Sequence, residues 1–205
     1  MTAAEFKIAF ETRFYAATTV NSLGWSNDEI SEFLNYAQNT IVKTAIDSGN
    51  LEAISNLVKV ATIAAAFSTS ANGEIRFPTA ISGFYELVDA ELIIADESKP
   101  YAMERIPIAN ISDFKVTPYN VALFRQPKVA VDYSLGNSIT FVVLQGGYVS
   151  GIPSALNYRY VVKPTAIDID NSITTNINEK LHDSIVDLAV QKAVETFIKT
   201  GQSTQ

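Results

Sequence analysis

The chain has 205 residues, 47% of them hydrophobic and 18% charged, and a formal net charge of −7. This composition excludes a disordered chain and leaves room for one sizeable domain or two small ones. No cysteine is present, so disulfides, thiolate catalysis and cysteine-ligated zinc are excluded, and no cluster of Lys and Arg supports nonspecific nucleic-acid binding.

Residues Ala3–Thr19 have helical spacing, with Phe6, Ala9, Phe10, Phe14 and Ala17 on one face. The turn Asn21-Ser22-Leu23-Gly24 ends that helix. Ser26-Asn27-Asp28-Glu29 is a capping box, and Trp25 with Ile30 can form a hydrophobic staple around it. The second helix carries Ile30, Phe33, Leu34, Ala37, Ile41, Ala45 and Ile46 on one stripe and stops at Gly49. Asn50 is expected to cap a third helix carrying Leu51, Ile54, Leu57, Val58, Ala61 and Ala65, followed by a small polar loop over Ser68–Gly73.

From Glu74 onward every proline of the chain appears, helical periodicity is lost, and short β-rich runs follow: Tyr85–Ile94, Arg105–Ile108, Val129–Tyr133, Ile139–Leu144 and Leu156–Val162. Val131, Tyr133 and Leu135 alternate with Asp132 and Ser134, the pattern of a half-buried antiparallel strand. Leu135-Gly136-Asn137-Ser138 reads as a hairpin turn, and Gln145–Pro153 as a second, looser one. Gly146–Pro153 and Ser68–Gly73 are expected to be tips that order against a neighbour. Residues Asn176–Thr200 read as one long helix, capped by Asn176 with Glu179 bonding back, and Gly201 as its stop. Its apolar stripe is wider than a surface helix needs.

These elements predict an α+β fold. An N-terminal helical part (1–73) and a C-terminal helix (171–205) form a four-helix bundle, and a β-rich module (74–170) is inserted between them. Ile30, Leu34, Ile41, Leu57, Val58, Ile185 and Leu188 are expected in the bundle core. No apolar run reaches bilayer length; the longest, Val58–Phe67, contains Lys59 and Thr62. Met1–Lys7 lacks a basic region before an apolar core, so no signal peptide is expected, and the chain is expected to be made and kept in a cytoplasm or in something assembled there.

Residues with the chemistry of a site are few. His182, the only histidine, sits next to Asp183 on the helix and does not face it; it reads as a polar residue at the helix edge. Asp168 and Asp170 lack the remaining ligands of a calcium loop. Gly146–Gly151 lacks the Lys-Ser/Thr ending and the following helix of a phosphate loop. Asp28 and Glu29 are accounted for by capping and the helix dipole. Tyr85, Tyr133, Tyr158 and Tyr160 fall in predicted strands, as sheet residues or interface anchors. No catalytic, cofactor-binding or metal-binding residue is expected.

Several stretches together resemble a known family. They are Leu34-Asn35-Tyr36-Ala37-Gln38, the β-module pieces Arg76-Phe77-Pro78, Arg105-Ile106-Pro107-Ile108 and Arg125-Gln126-Pro127, then Tyr158-Arg159-Tyr160-Val161-Val162-Lys163-Pro164, and Leu181-His182-Asp183-Ser184-Ile185-Val186-Asp187-Leu188-Ala189. In this order they resemble the neck or ring structural proteins of tailed phages, notably crAss-like phages of Bacteroidales hosts. The resemblance implies a non-enzymatic head-to-tail connector at the head–tail interface of a virion, assembled in the host cytoplasm. Its implied partners are further copies of itself in a homo-oligomeric ring, as a dodecamer, the portal protein above, and adjacent neck or tail proteins. Double-stranded DNA would pass through the bore during ejection without specific binding, and no membrane would be involved. His182 would fix the start of its helix against the β module. Three readings stand beside this one: a tail-hub or stopper protein of the virion; a soluble α+β enzyme or small-ligand-binding protein, which would need a pocket with convergent polar groups; and a nucleic-acid-binding module, which the missing basic patch disfavours.

Overall fold

A computed structural model describes residues 1–18, 24–64, 68–69, 74–95, 97–111, 126–135, 138–144 and 152–201. It is an α+β protein in two compact units: a helical unit of Met1–Leu57 and Pro164–Gln205, and a β unit, Val58–Lys163, inserted as a single excursion of the chain.

Three helices build the first unit: α1 (Ala3–Ala17), α2 (Asn27–Asp47) and α3 (His182–Gly201). The expected Ser26–Glu29 capping box starts α2. A second one starts α1: the Thr2 hydroxyl accepts from the Glu5 amide, and the Glu5 carboxylate takes the Thr2 N–H. Each cap satisfies donors that the first helical turn leaves free. Gly49 follows the end of α2 at φ 71°, a left-handed position that glycine reaches without a Cβ penalty. Phe6, Phe10 and Phe14 of α1 are buried, as are Ile30, Leu34, Ala37, Val42 and Ala45 of α2 and Ile185, Val186, Ala189 and Ala193 of α3. Helix α3 packs on both others. Trp25 stands edge-on to Phe14 and Phe33, with centroids 5.7 and 5.1 Å apart, so it closes the entrance to α2 onto α1.

The four-helix bundle is corrected in one member. After a 3₁₀ turn at Ser55–Leu57, the residues assigned to a third helix form strand β1 (Val58–Ala64). Val58, Val60, Thr62 and Ile63 are β-branched and fit a pleated strand better than a helix. Ile54 and Leu57 remain buried in the helical unit; Val58 belongs to the β unit. Two expected core positions shift on their helices: Val42 is buried where Ile41 is half-buried, and Leu188 is half-buried beside buried Ala189. The last helix also starts later than expected. Asn178, not Asn176, caps a 3₁₀ turn, Glu179–Leu181, that leads into α3. Gly201 is the last residue of α3 rather than a stop beyond it.

The β unit contains two sheets. One has the order β1-β9-β4-β5 and the other β2-β3-β8-β7-β6. The remaining strands are β2 (Ser68–Thr69), β3 (Glu74–Thr79), β4 (Phe84–Ile94), β5 (Tyr101–Ala102), β6 (Glu104–Arg105), β7 (Lys128–Leu135), β8 (Ser138–Leu144) and β9 (Pro153–Val162). All pairings are antiparallel except β6 with β7. Inner-face residues of both sheets share one core that includes Phe77, Leu87, Leu92, Val129, Phe141, Val143 and Leu156, so the unit is a sandwich. Strand β8 is buried on both faces, because Val142 and Leu144 pack with Ala130, Ile106 and Ile111 on the far side of the second sheet.

The β7–β8 hairpin forms as expected, with Leu135 paired to Ser138; its turn residues Gly136 and Asn137 lie outside the described residues. The expected alternation along β7 does not hold. Val129, Ala130 and Val131 are all buried, the register shifts after Asp132, and Tyr133 is 54% exposed. Ser68–Thr69, expected in a loop, pairs with β3. Arg105–Ile108, expected as a strand, is a two-residue strand end followed by a 3₁₀ turn at Ile108–Asn110. The glycine-rich tip at 145–151 and residues 70–73 lie outside the described residues.

Candidate functional site

Among the described residues a polar ladder lies on α2. Asn27, Ser31, Asn35 and Gln38 recur at helical spacing and face the strap 164–178, which leads from β9 to α3. Asn35 donates through Nδ2 to the Ile167 carbonyl at 2.9 Å and accepts the Ile167 N–H at 2.8 Å, so one amide side chain replaces a strand partner. Gln38 donates to Asn35 Oδ1 at 2.7 Å and to the Thr165 carbonyl at 3.2 Å. The Ser31 hydroxyl accepts the Ile169 N–H, and Asn27 donates to Asp170. Ile167 is only 1% exposed, so its backbone groups depend on Asn35 for their partners. Asn35 and Gln38 are the polar members of the Leu-Asn-x-Ala-Gln stretch, and their partners Ile167 and Thr165 stand 132 and 127 residues away in sequence, just after Lys163-Pro164.

Asp168 and Asp170 are absorbed by this strap. The Asp168 carboxylate accepts from the Asn171 amide and side chain, which lowers its pKa, and its backbone closes a bridge to Ile173. Ser172 takes φ 56° at the tip. Asn176 holds the strap's base: its side chain accepts the Thr165 N–H at 2.8 Å, and its carbonyl accepts from Asn56.

His182 is buried, not at a solvated edge. The Met1 ammonium donates to Nδ1 at 2.7 Å, which makes Nδ1 the acceptor and leaves Nε2–H to donate to the Ile177 carbonyl at 3.1 Å. The Phe6 ring lies 5.0 Å away. Burial pushes the imidazole pKa down, and the nearby ammonium adds to this. His182 therefore fixes the start of α3 through Met1, Phe6 and Ile177, all of the helical unit. Beside it, Arg13 bridges Asp183 and Asp187 and ties α1 to the first turns of α3. Glu29 is used by its cap, and Asp28 lies in the first turn of α2, where an anion suits the dipole.

In the β unit a cleft of about 670 Å³ opens at one end of the sandwich, lined by Ala80–Phe84, Tyr133, Ile139 and Lys163. Gly83, at φ 70°, turns the chain there, and its carbonyl accepts the Lys163 N–H at 2.7 Å. Phe84 stacks on Tyr160 at 5.6 Å and leans on Tyr133 at 5.9 Å. Tyr158 packs on Phe141 at 4.7 Å. The tyrosines of this end are thus sheet residues, and only Tyr133 stands mostly in solvent. Among the described residues no group of three or more His, Asp or Glu is placed to hold a metal ion, and no helix is long and apolar enough to cross a membrane.

Charge divides between the units in a way that composition alone conceals. The helical unit carries thirteen Asp and Glu against six Lys and Arg, whereas the β unit carries nine of each. The whole net charge of −7 therefore resides on the helical unit. No protein-family model matches the chain, and the comparison with curated proteins returns no match.

Proposed function

We propose that this chain is a non-enzymatic structural protein of a tailed-phage virion, a ring-forming head-to-tail connector beneath the portal that gives double-stranded DNA a path. The observation that carries this reading is the division of charge. A ring around a moving duplex needs one surface that does not grip phosphate and other surfaces that tolerate close packing against copies of themselves. Each phosphate neutralised by Lys or Arg adds affinity, and so friction. An acidic helical unit suits the first requirement, and a charge-balanced β sandwich suits the second. The resemblance of Leu34–Gln38, Tyr158–Pro164 and Leu181–Ala189 to neck and ring proteins supports the same reading; these stretches carry two members of the ladder, the end of β9 and the start of α3. The portal and adjacent neck or tail proteins are the partners this role requires.

The experiment is a gel-shift titration of duplex DNA with the purified protein near physiological salt, paired with co-sedimentation of the protein with its portal. The connector reading predicts no shift and co-sedimentation. Submicromolar duplex binding would refute the sliding conduit and favour a nucleic-acid-binding module. The cleft at Phe84, Tyr133 and Lys163 favours a second reading, a small-ligand-binding α+β protein.

A further inference from the structure

The β unit protects its sheet edges unequally. Unpaired strand edges offer free N–H and C=O groups to other chains, and proteins blunt them with short strands, charged side chains, proline, bulges or covering segments. Strands β2, β5 and β6 are two residues long. Where β3 runs on past β2 it carries Pro78, which has no N–H. Where β4 runs on past β5, the Ala90 carbonyl accepts from the Met103 amide and the Leu87 carbonyl from Arg105, both at 2.9 Å. On β7 the Ile106 amide extends the cover that β6 begins.

Among the described residues strand β1 carries one of these devices, Lys59, and no other. It pairs with β9 over seven consecutive residues without a register shift, from Val58↔Val161 to Ala64↔Ala155, and among the described residues no strand lies on its other side. It contains no proline and no glycine, and Val60 at its centre is 75% exposed. A long, regular edge with an exposed β-branched residue is a template for another strand.

We infer that β1 pairs antiparallel with β1 of a second copy, joining two four-stranded sheets into one across a twofold axis at Ala61. The sequence Val58-Lys59-Val60-Ala61-Thr62-Ile63-Ala64 is self-complementary in the register that uses all seven residues. Val60 then faces Thr62 twice on the outer face, Lys59 faces Ile63, Val58 faces Ala64, and no like charges stand opposite each other. The β unit has no net charge, so two such units approach without the repulsion that two helical units would meet. The contact is isologous and cannot propagate into a ring. It is a contact of the free protein, and its failure leaves the connector reading untouched.

The test is analytical ultracentrifugation of the full chain over a wide concentration range, with two double variants. The parent is expected to pass from monomer to dimer as concentration rises. V60K/T62K places lysine opposite lysine twice and is expected to stay monomeric. V60K/T62E places lysine opposite glutamate twice and is expected to recover the dimer, which a merely structural effect of V60K would not do. A parent that stays monomeric throughout, or variants that do not differ from each other, would overturn the inference. Should V60K/T62K fail to fold, hydrogen exchange of the parent decides: β1 amides protected only at high concentration support the pairing, and amides unchanged with concentration refute it.

Discussion

The ladder on α2 makes a graded prediction that can be worked through residue by residue. Asn35→Ala removes the donor to the Ile167 carbonyl and the acceptor of the Ile167 N–H, and it also takes one of the two partners of Gln38. Ile167 is buried, so water replaces these bonds poorly. At about 1–3 kcal/mol for each of the two backbone groups left without a partner, the expected cost is about 2–6 kcal/mol. Ser31→Ala removes a single bond of 3.2 Å to Ile169, for about 1 kcal/mol. Asn27→Ala acts at an exposed pair with Asp170 and should cost less than about 0.5 kcal/mol. The chain has one tryptophan, and Trp25 lies between Phe14 and Phe33, so its fluorescence in a urea titration reports the helical unit alone. Hydrogen exchange of the Ile167 amide gives the local reading. If Asn35→Ala cost no more than Asn27→Ala and left that amide protected, the strap would not be held by this ladder.

Three further outcomes are expected. Leu34→Ala should destabilise the helical unit by about 2–5 kcal/mol, and Ile41→Ala, on a half-buried position, by less than half as much; equal effects in thermal unfolding would contradict the corrected core. His182 has its folded pKa below that of a free imidazole, so the stability it contributes is complete above the unfolded value of about 6.5 and is lost as pH falls through the folded value. His182→Gln should flatten the fall in stability between neutral and mildly acidic pH, and an unchanged slope would argue against a buried neutral imidazole. Arg13→Ala should cost about 1 kcal/mol or less at low salt and less again at high salt, because its partners Asp183 and Asp187 are largely exposed; a loss that did not respond to salt would contradict a surface role.

What the sequence displays and what it hides follow from the range over which each signal acts. The Ser26–Glu29 cap, the presence of helix α2 and the presence of strands β4, β7, β8 and β9 are local signals, and they read correctly. Val58–Ala64 failed because its apolar residues match a helical stripe and a strand equally well over so short a run, and the alanines beyond it extend a helical pattern. The β-branched residues at 58, 60, 62 and 63 carried the better signal. The Tyr133 side of β7 failed because a register shift is set by pairing with β8, which no single strand reveals. The ladder was visible only as motif letters. Asn27, Ser31, Asn35 and Gln38 are spaced along one face of a helix whose boundaries were clear, yet their partners stand 127 to 143 residues away. His182 was misjudged for the same reason: its burial comes from Met1 and Phe6 at the far end of the sequence. The division of charge was countable from the start, but it has meaning only once the units are known to be split at 57/58 and 163/164.

The central claim is that the acidic helical unit faces a DNA path within a closed ring. Cryo-microscopy of the assembled particle tests it most directly. The account predicts copies of this chain in a closed ring on the head–tail axis, with Asp, Glu, Ser, Thr and Asn of the helical unit toward the bore and the charge-balanced β unit in lateral contacts. The protein found as single copies or away from that axis, or a bore lined continuously by Lys and Arg, would contradict it.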